Sequence, residues 1–425
     1  MTRIAVVGSG IAGLSAAWLL SKRYAVTLFE AADTLGGHTN TIDVTVDGTR
    51  FPVDTGFLVF NDRTYPNLCA LFDHLGIASV PSEMSFSVRV DEDRLEWAGS
   101  SVASVFAQKR NLVKPEFWRM LQDILRFNRE STAAVEQGVD AGETLGEFLD
   151  RGAYGRAFRE WYLLPMSAAI WSCPTGSMLG FPAATFLRFC HNHGLLQVNG
   201  RPQWRTVAGG GREYVRRLAA EVEEVRLETP VLGVRRGGDY VEVRTADRSE
   251  RFDTIVLGSH SDQSLALLED ADAAERSALG SVRYQPNRAW LHTDETLLPR
   301  ARDAWSAWNY LTGPARLDGR PVSVSYLINK LQPLPCRVPM IVTLNPVHEP
   351  RADRVIRRID YSHPVFDVAA IEAQRRLPAL QGRRRTWFCG AWTGYGFHED
   401  GLRSGLAVAS ALGVQAPWQW ESKVA

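Results

Sequence analysis

The sequence has 425 residues, of which 45% are hydrophobic, and its 48 basic residues are balanced by 48 acidic ones. This length is typical of two to three domains, and the neutral formal charge gives no electrostatic reason to expect nucleic acid as a partner. The five cysteines lack metal-ligand spacing and no apolar run is long enough for a membrane span, so we expect a cytoplasmic protein with reduced thiols and no metal site.

The first predicted elements form a nucleotide-binding unit. An apolar run over residues 4–7 predicts a buried strand, and Gly8-x-Gly10-x-x-Gly13 follows it and opens a helix. A second strand over residues 25–29 ends in Glu30, whose carboxylate suits the ribose hydroxyls of an adenosine. The helix N-terminus favours a pyrophosphate, and the motif begins so early that we expect no signal peptide. The residues predicted to contact the dinucleotide here are Gly8, Gly10, Ile11, Ala12, Gly13, Glu30 and Ala31.

A glycine pair, Gly36 and Gly37, follows the acidic residue after a short spacer. This extension resembles that of flavoproteins of the amine oxidase and phytoene desaturase superfamily, in which the pair lets the chain pass close to FAD. The resemblance implies FAD as the cofactor. Most members carry an arginine after the pair, whereas this chain has His38. A contact with the phosphate or the flavin, a covalent flavin–histidine link and a structural histidine are three interpretations of His38.

The middle of the chain is predicted to return to the same domain. The segment 53–61 resembles the next superfamily motif, in which Thr55 and Gly56 lie at the flavin, although an ordinary strand and turn would give the same pattern. Residues 229–260 alternate like antiparallel strands and end in a buried strand. The resemblance places the backbone of Val231 against the adenine, and an apolar strand residue is the other interpretation.

A helix is predicted near residues 115–130. Its apolar face carries Phe117, Leu121, Ile124, Leu125 and Asn128, and its other face carries Arg119, Arg126 and Arg129. A solvated face and a face that lies on an anionic membrane surface are both compatible with this pattern.

The segment 161–196 is apolar and rich in aromatic residues, and it is interrupted by three prolines. It suits a cap domain with an apolar tunnel, in which Trp171 and Phe186 would contact the substrate, and plain core packing is the alternative. The pair His191-x-His193 has no third metal ligand in view.

The second inserted block is predicted to form strands at 287–295 and 322–335 that floor the substrate site, with Tyr326 facing the substrate. In amine oxidases a strand in this order carries a lysine that holds a water near the flavin. The first strand has no lysine, and Lys330, placed on the second strand, is compatible with a solvent-facing side chain.

The C-terminal segment 386–412 predicts a strand, a glycine turn and a helix whose N-terminus points at the ligand. The resemblance places this N-terminus at the flavin pyrimidine edge. Many members have an acidic residue after the glycine, where this chain has Ala391. Glu399 and Asp400 are candidate replacements, and a solvated pair or a helix N-cap is the alternative. The residues predicted to contact FAD here are Gly390, Ala391, Glu399, Asp400, Gly401 and Leu402, and Trp392 and Tyr395 are predicted to flank the ring.

These motifs predict an α/β fold combined with α+β: a discontinuous Rossmann-like FAD-binding domain over 1–61, 200–264 and 381–425, and a substrate domain of mixed sheet and helical cap over 62–199 and 265–380. Further segments, such as "GGHTNT", "PMSAAIW" and "GYGFHEDGL", resemble a narrower bacterial family whose genes tend to accompany cyclopropane fatty-acid synthases and some of whose members desaturate methylated acyl chains.

The expected activity is therefore an FAD-dependent oxidation in which flavin N5 takes a hydride from an apolar substrate, a fatty acyl chain of phospholipid, with peripheral contact to a membrane as a further expectation. His398, His191 and His193 are the candidate proton acceptors, in that order. Amine oxidation with oxygen, and a non-redox role as an isomerase or a lipid-binding accessory protein, stay open as alternatives.

Overall fold

A computed structural model describes residues 1–140, 142–197, 200–312 and 322–419. The predicted domain ranges also include residues 141, 198–199, 313–321 and 420–425, which lie outside the described residues. The described strands are β1 (Arg3–Val7), β2 (Ala25–Phe29), β3 (Thr41–Val46), β4 (Thr49–Asp54), β5 (Phe60–Asn61), β6 (Ser79–Pro81), β7 (Phe86–Val90), β8 (Leu95–Ala98), β9 (Trp204–Val207), β10 (Glu224–Arg226), β11 (Gly233–Arg236), β12 (Val241–Arg244), β13 (Ser249–Phe252), β14 (Thr254–Leu257), β15 (Arg283–His292), β16 (Trp308–Thr312), β17 (Val322–Leu327), β18 (Ile341–Leu344), β19 (Val355–Val365) and β20 (Thr386–Phe388).

The helices connect these strands and cap one of the sheets. They are α1 (Ile11–Leu20), α2 (Pro66–Leu75), α3 (Val102–Val105), α4 (Pro115–Gln137), α5 (Leu145–Arg151), α6 (Arg156–Phe158), α7 (Leu164–Trp171), α8 (Thr175–Leu179), α9 (Ala183–Asn192), α10 (Arg212–Ala219), α11 (Ser261–Leu267), α12 (Ala273–Leu279), α13 (Ile328–Leu331), α14 (Val368–Arg376) and α15 (His398–Ala411). A π-helical turn over Arg159–Leu163 joins α6 to α7. None of the described helices is long and apolar enough to cross a membrane.

A five-stranded parallel sheet in the order β10-β2-β1-β14-β20 forms the nucleotide-binding half. The strands come from the beginning, middle and end of the chain, and they lie within the ranges predicted for the FAD domain. Two glycines allow the elements to approach closely: a Cβ at Gly13 would lie 2.0 Å from the carbonyl oxygen of Gly8, and a Cβ at Gly405 would lie 2.4 Å from that of Ala12. The predicted Rossmann-like fold is confirmed. Its strand β1 ends directly before the nucleotide motif that begins at Gly8.

A seven-stranded sheet in the order β19-β15-β18-β17-β16-β7-β8 forms the second half. β7 and β8 come from the first inserted block, residues 62–199, and β7 joins the sheet beside β16. Helices α4 to α9 cover this sheet and bury a core rich in aromatic side chains.

Two sequence-based assignments in this half are wrong in detail. Lys330 lies in helix α13 and not on a strand, and its ammonium pairs with Glu83 at 2.9 Å. Leu125 does not share the inner face of α4 with the buried Phe117, because its side chain is 60% exposed. A helix advances 100° per residue, so Leu125 falls on the same outer stripe as Trp118, two turns away.

Candidate active site

One cavity of about 1160 Å³ runs from the nucleotide motif of the parallel sheet to the aromatic core of the helical cap. A site for one small molecule typically occupies about 300–1,000 Å³, so this cavity is large enough for a dinucleotide together with a substrate. We call its two parts the nucleotide lobe and the apolar lobe. The predicted cofactor residues that line the nucleotide lobe are Gly8, Gly10, Ile11, Ala12, Glu30, Ala31, Gly36, Gly37, His38, Thr55, Gly56, Val231, Gly390 and Ala391.

Ser9 joins the two sequence motifs of the nucleotide lobe. Its backbone N–H and hydroxyl both donate to Glu30, at 2.9 and 2.6 Å, and its hydroxyl oxygen accepts from the backbone N–H of Gly36 at 3.1 Å. The glycine pair therefore stands close to the first glycine motif, and the Glu30 carboxylate is held at the cavity with lone pairs left for further donors.

The glycines of this lobe form a cradle that suits a diphosphate. Gly10 has extended backbone geometry, and a Cβ placed on it would meet no atom within 4 Å, so its Cα faces open cavity. Gly37 (φ +57°) comes so near that a Cβ on it would lie 3.3 Å from the Cα of Gly10. The N-terminus of α1 begins at Ile11 beside them. Exposed backbone, a helix N-terminus and a ribose-binding carboxylate together fit FAD.

His38 stands among aromatic and imidazole rings where the superfamily usually has an arginine. It stacks on Tyr361 with ring centroids 5.0 Å apart, and His363 and His260 lie 5.1 and 6.1 Å away. Burial and the neighbouring histidines lower the pKa of His38 well below its ordinary value. Its Nε2 is buried without a hydrogen-bond partner among the described residues, so the ring is neutral and keeps a polar atom for a ligand.

A chain of hydrogen bonds fixes the proton of His363. The backbone N–H of Arg288 donates to Asn345 Oδ1, the Asn345 amide donates to Asn287 Oδ1, and Asn287 Nδ2 donates to His363 Nδ1 at 2.8 Å. Because the first donor is a backbone N–H, the direction of every later bond is set. Neutral His363, whose pKa burial lowers to about 4, therefore carries its proton on Nε2.

His193 has the opposite tautomer. Its Nδ1 lies 3.0 Å from the carbonyl oxygen of Phe189, which can only accept, and its ring stacks on Phe189 at 3.9 Å. The proton is therefore on Nδ1, and Nε2 keeps its lone pair. Burial lowers the pKa of His193 to about 4. Of the two histidines predicted in this segment, His193 lines the cavity, whereas His191 lies outside its lining.

His398, the first candidate proton acceptor, lines the cavity but is held in place by its neighbours. Its Nε2 lies 2.9 Å from Thr39 Oγ1 and 2.8 Å from the Tyr214 hydroxyl, and its ring stacks on Phe57 at 3.8 Å. Burial lowers its pKa to about 3. Because its Nε2 is already hydrogen-bonded to these two hydroxyl groups, His398 suits a structural role better than proton transfer.

The apolar lobe is lined by aromatic and aliphatic side chains from the cap and the seven-stranded sheet. The predicted substrate residues Trp171, Tyr326, Trp392 and Tyr395 line the cavity. Phe186 does not, because it is completely buried behind Trp171 in the cap core, with ring centroids 5.8 Å apart. No lysine occurs among the described residues that line the cavity.

Four predicted FAD contacts near the start of α15 lie outside the cavity lining. Glu399 is buried and accepts from the N–H groups of Asn67 and Leu68, so it caps helix α2. Asp400 accepts from the N–H of Phe397 and caps α15 itself, which agrees with the N-cap alternative and not with a solvated pair. Leu402 is fully buried, and a Cβ on Gly401 would lie 2.7 Å from Ile11, so both serve the packing of α15 on α1.

The sequence reasoning missed His260, Tyr284, Tyr361 and His363 as cavity residues. Tyr361 and His363 alternate along β19 and therefore share one face, which a search for alternating polar aromatic residues could have found. Their meeting with His38 depends on the tertiary structure.

The chain is similar to flavoenzymes in sequence. The model of the family described as flavin containing amine oxidoreductase matches residues 11–322. The carotenoid phi-ring synthase of Streptomyces griseus is 28% identical over 320 residues, which are 68% of this chain and 59% of that protein. The (S)-6-hydroxynicotine oxidase of Paenarthrobacter nicotinovorans is 27% identical over 257 residues, which are 57% of this chain and 56% of that protein. The chain thus spans less than two thirds of the length of these curated relatives.

The fold is shared with solved structures. A CLA-producing fatty acid isomerase from P. acnes superposes with a TM-score of 0.67 at 16% identity, over 97% of this chain and 99% of that chain. At this identity the similarity shows a shared fold and no more.

Proposed function

The chain belongs to the family of flavin containing amine oxidoreductases, a class of FAD-dependent oxidoreductases, and from this premise we propose that it desaturates a fatty acyl chain, methyl-branched and carried on a phospholipid. The observation that carries the proposal is the apolar lobe, which continues directly from the nucleotide lobe in one cavity. A substrate in it would lie among aromatic and aliphatic side chains, as an acyl chain requires. The name of one relative, a carotenoid ring synthase, is in keeping with an apolar substrate.

The residues proposed to hold FAD line the nucleotide lobe, with Glu30 at the ribose and the glycine cradle at the diphosphate. FAD, when bound, supplies a hydride acceptor. The protein's own contribution is to position the acyl chain and to keep water away from it. Trp171, Trp308 and Tyr326 line the apolar lobe, and burial raises the pKa of the Tyr326 phenol well above its ordinary value, so it stays neutral.

Desaturation removes a hydride from one carbon and a proton from its neighbour, and an allylic or branched position has the weaker C–H bonds. We assign the proton acceptor to His193, because its tautomer leaves the Nε2 lone pair available in the cavity. His363, with Nε2–H fixed by Asn287, is instead a hydrogen-bond donor to negative charge.

The test has two parts. Mass spectrometry of membrane fatty acids from cells with and without the gene should find, only with the gene, a species that lacks two hydrogens. The purified yellow protein should lose its flavin colour when that lipid is added without oxygen. Unchanged lipids would contradict the proposal, and substrate binding without bleaching would indicate isomerisation.

The second candidate function is amine oxidation with oxygen, which the similarity to a hydroxynicotine oxidase favours. Bleaching of the flavin by monoamines or polyamines, and not by lipid, would support it. The two acidic residues among the described cavity lining are Glu30, in the nucleotide lobe, and Glu83, which pairs with Lys330. The apolar lobe therefore offers a cationic amine little compensation, and we prefer the acyl substrate.

A further inference from the structure

Exposed apolar side chains are concentrated in one short part of the cap. Of the ten exposed large hydrophobic side chains among the described residues, five lie between positions 102 and 125. They include Val113, which is 81% exposed, and Val102, which is 78% exposed. Single exposed apolar residues are ordinary, but a concentration of them marks an interaction surface. The five residues are Val102, Leu112, Val113, Trp118 and Leu125.

These side chains belong to one surface, which we call the α3–α4 patch. The Trp118 indole donates to the carbonyl oxygen of Leu112 at 2.9 Å. Its ring lies 5.5 Å from that of Phe106, which ends the helix begun by Val102. Leu125 continues the outer stripe of α4 two turns beyond Trp118. The patch is therefore continuous along α3, the loop and α4.

Positive charge surrounds the patch. The exposed Lys109 and Arg119 form no ion pair with any described residue, although most arginines of this chain do. Arg110 donates to the carbonyl oxygen of Arg94 and keeps its charge unneutralised by an acid. Glu116 is the single acidic residue between positions 101 and 122. Unpaired cations beside exposed apolar side chains complement an anionic lipid surface.

The patch adjoins an opening of the apolar lobe. Gly99 and Ser100 line the cavity and are also exposed, so the cavity reaches the surface there. Val102 follows Ser100 after one residue. A molecule that enters by this opening passes the α3–α4 patch.

We propose that the α3–α4 patch docks on an anionic bilayer, with Val113, Trp118 and Leu125 inserted among the acyl chains and Lys109, Arg110 and Arg119 at the headgroups. The opening at Ser100 then faces the lipid, and an acyl chain enters the cavity without crossing water. The purpose of the docking rests on the proposed function, whereas the docking itself is measured without any turnover.

The experiment is co-sedimentation of the purified FAD-loaded protein with vesicles of phosphatidylcholine alone or mixed with phosphatidylglycerol, at low and high salt. The native protein should sediment with the anionic vesicles and much less with the neutral ones. Val113→Asp should weaken this binding at least about tenfold, because a charge replaces an inserted side chain. Arg119→Glu should weaken binding to anionic vesicles, and it should not make that binding more dependent on salt concentration. The matched control is Val368→Asp, on α14, whose side chain is 58% exposed and which should bind as the native protein does.

The flavin spectrum of each variant shows that it is folded. The docking proposal would be overturned if the native protein bound neither kind of vesicle. It would also be overturned if Val113→Asp bound as strongly as Val368→Asp. Equal binding to neutral and anionic vesicles would overturn the role given to the cations. Docking that persists while cellular lipids are unchanged would contradict the proposed function alone, and desaturated lipids without docking would contradict this inference alone.

Discussion

Asn287 donates a hydrogen bond to Nδ1 of His363 over 2.8 Å, at the end of a chain that starts from a backbone N–H. The imidazole can therefore donate from Nε2 but cannot gain a second proton without losing Asn287. His193, across the same cavity, has the reverse arrangement, since a carbonyl oxygen holds its Nδ1–H. The protein thus presents one fixed imidazole donor and one fixed imidazole acceptor to a single cavity.

Asn287→Asp should reverse the tautomer of His363. A carboxylate accepts where the amide donated, so the proton moves to Nδ1 and the imidazolium gains an ion partner. The pKa of His363 should rise from about 4 toward its ordinary value of 6.5. Nitrogen NMR of labelled histidine against pH measures both changes. The control carries His363→Gln as well and should lack the new titration. Protonated Nδ1 in the native protein would contradict the assignment.

His193→Phe should reduce flavin reduction by the lipid by about 10²–10⁴-fold if His193 takes the proton, because phenylalanine keeps the stack on Phe189 but has no acceptor. Anaerobic stopped-flow bleaching gives the rate. His191→Phe, two residues away and outside the cavity lining, is the matched control and should reduce the flavin at the native rate. Native-like bleaching by His193→Phe would move the role to another group.

Gly10→Ala and Gly13→Ala should separate cofactor binding from folding. The new methyl group of Gly10→Ala enters open cavity, so the apoprotein should keep its stability within about 0.5 kcal/mol while FAD affinity falls at least tenfold. In Gly13→Ala the methyl group meets the Gly8 carbonyl oxygen, and we expect a loss of about 3 kcal/mol or more. Urea unfolding of the apoproteins and FAD titration measure the two effects. Native FAD affinity in Gly10→Ala would place the diphosphate elsewhere.

Glu399 should make the protein less stable as the pH rises. Burial raises its pKa from 4.5 to about 7, so the folded protein retains a proton that the unfolded chain releases between these values. The free energy of unfolding should fall across this window by up to about 3 kcal/mol from this group. Glu399→Gln, which has no proton to lose, should flatten the profile and leave the smaller contribution of Asp54, whose pKa is raised to about 6. Glu136→Gln, an exposed control, should keep the native slope, and a native slope in Glu399→Gln would contradict the assignment.

Much of the nucleotide lobe could be predicted because its determinants are local. Gly8, Gly10 and Gly13 lie within six residues, and their spacing after a strand predicts a diphosphate-binding turn. Gly8, with φ +95°, and Gly13, whose Cβ would meet the Gly8 carbonyl oxygen, also have a backbone reason to be glycine. Glu399 and Asp400 were misplaced because a helix N-terminus that points at a cavity does not decide which way its acidic side chains face. The cap of α2 at Asn67, more than 300 residues earlier in the chain, settled that question for Glu399.

The sequence by itself determined the FAD fold, the glycine cradle and the apolar character of the cap, since these depend on short-range spacing and composition. The tertiary structure decided which groups do chemistry. His38, His260, Tyr361 and His363 meet only when β19 lies beside the glycine-pair loop, and the tautomers of His193 and His363 depend on partners set by helix and sheet geometry. Periodicity specifies which face of an element is apolar, but contacts between distant segments fix where a proton resides.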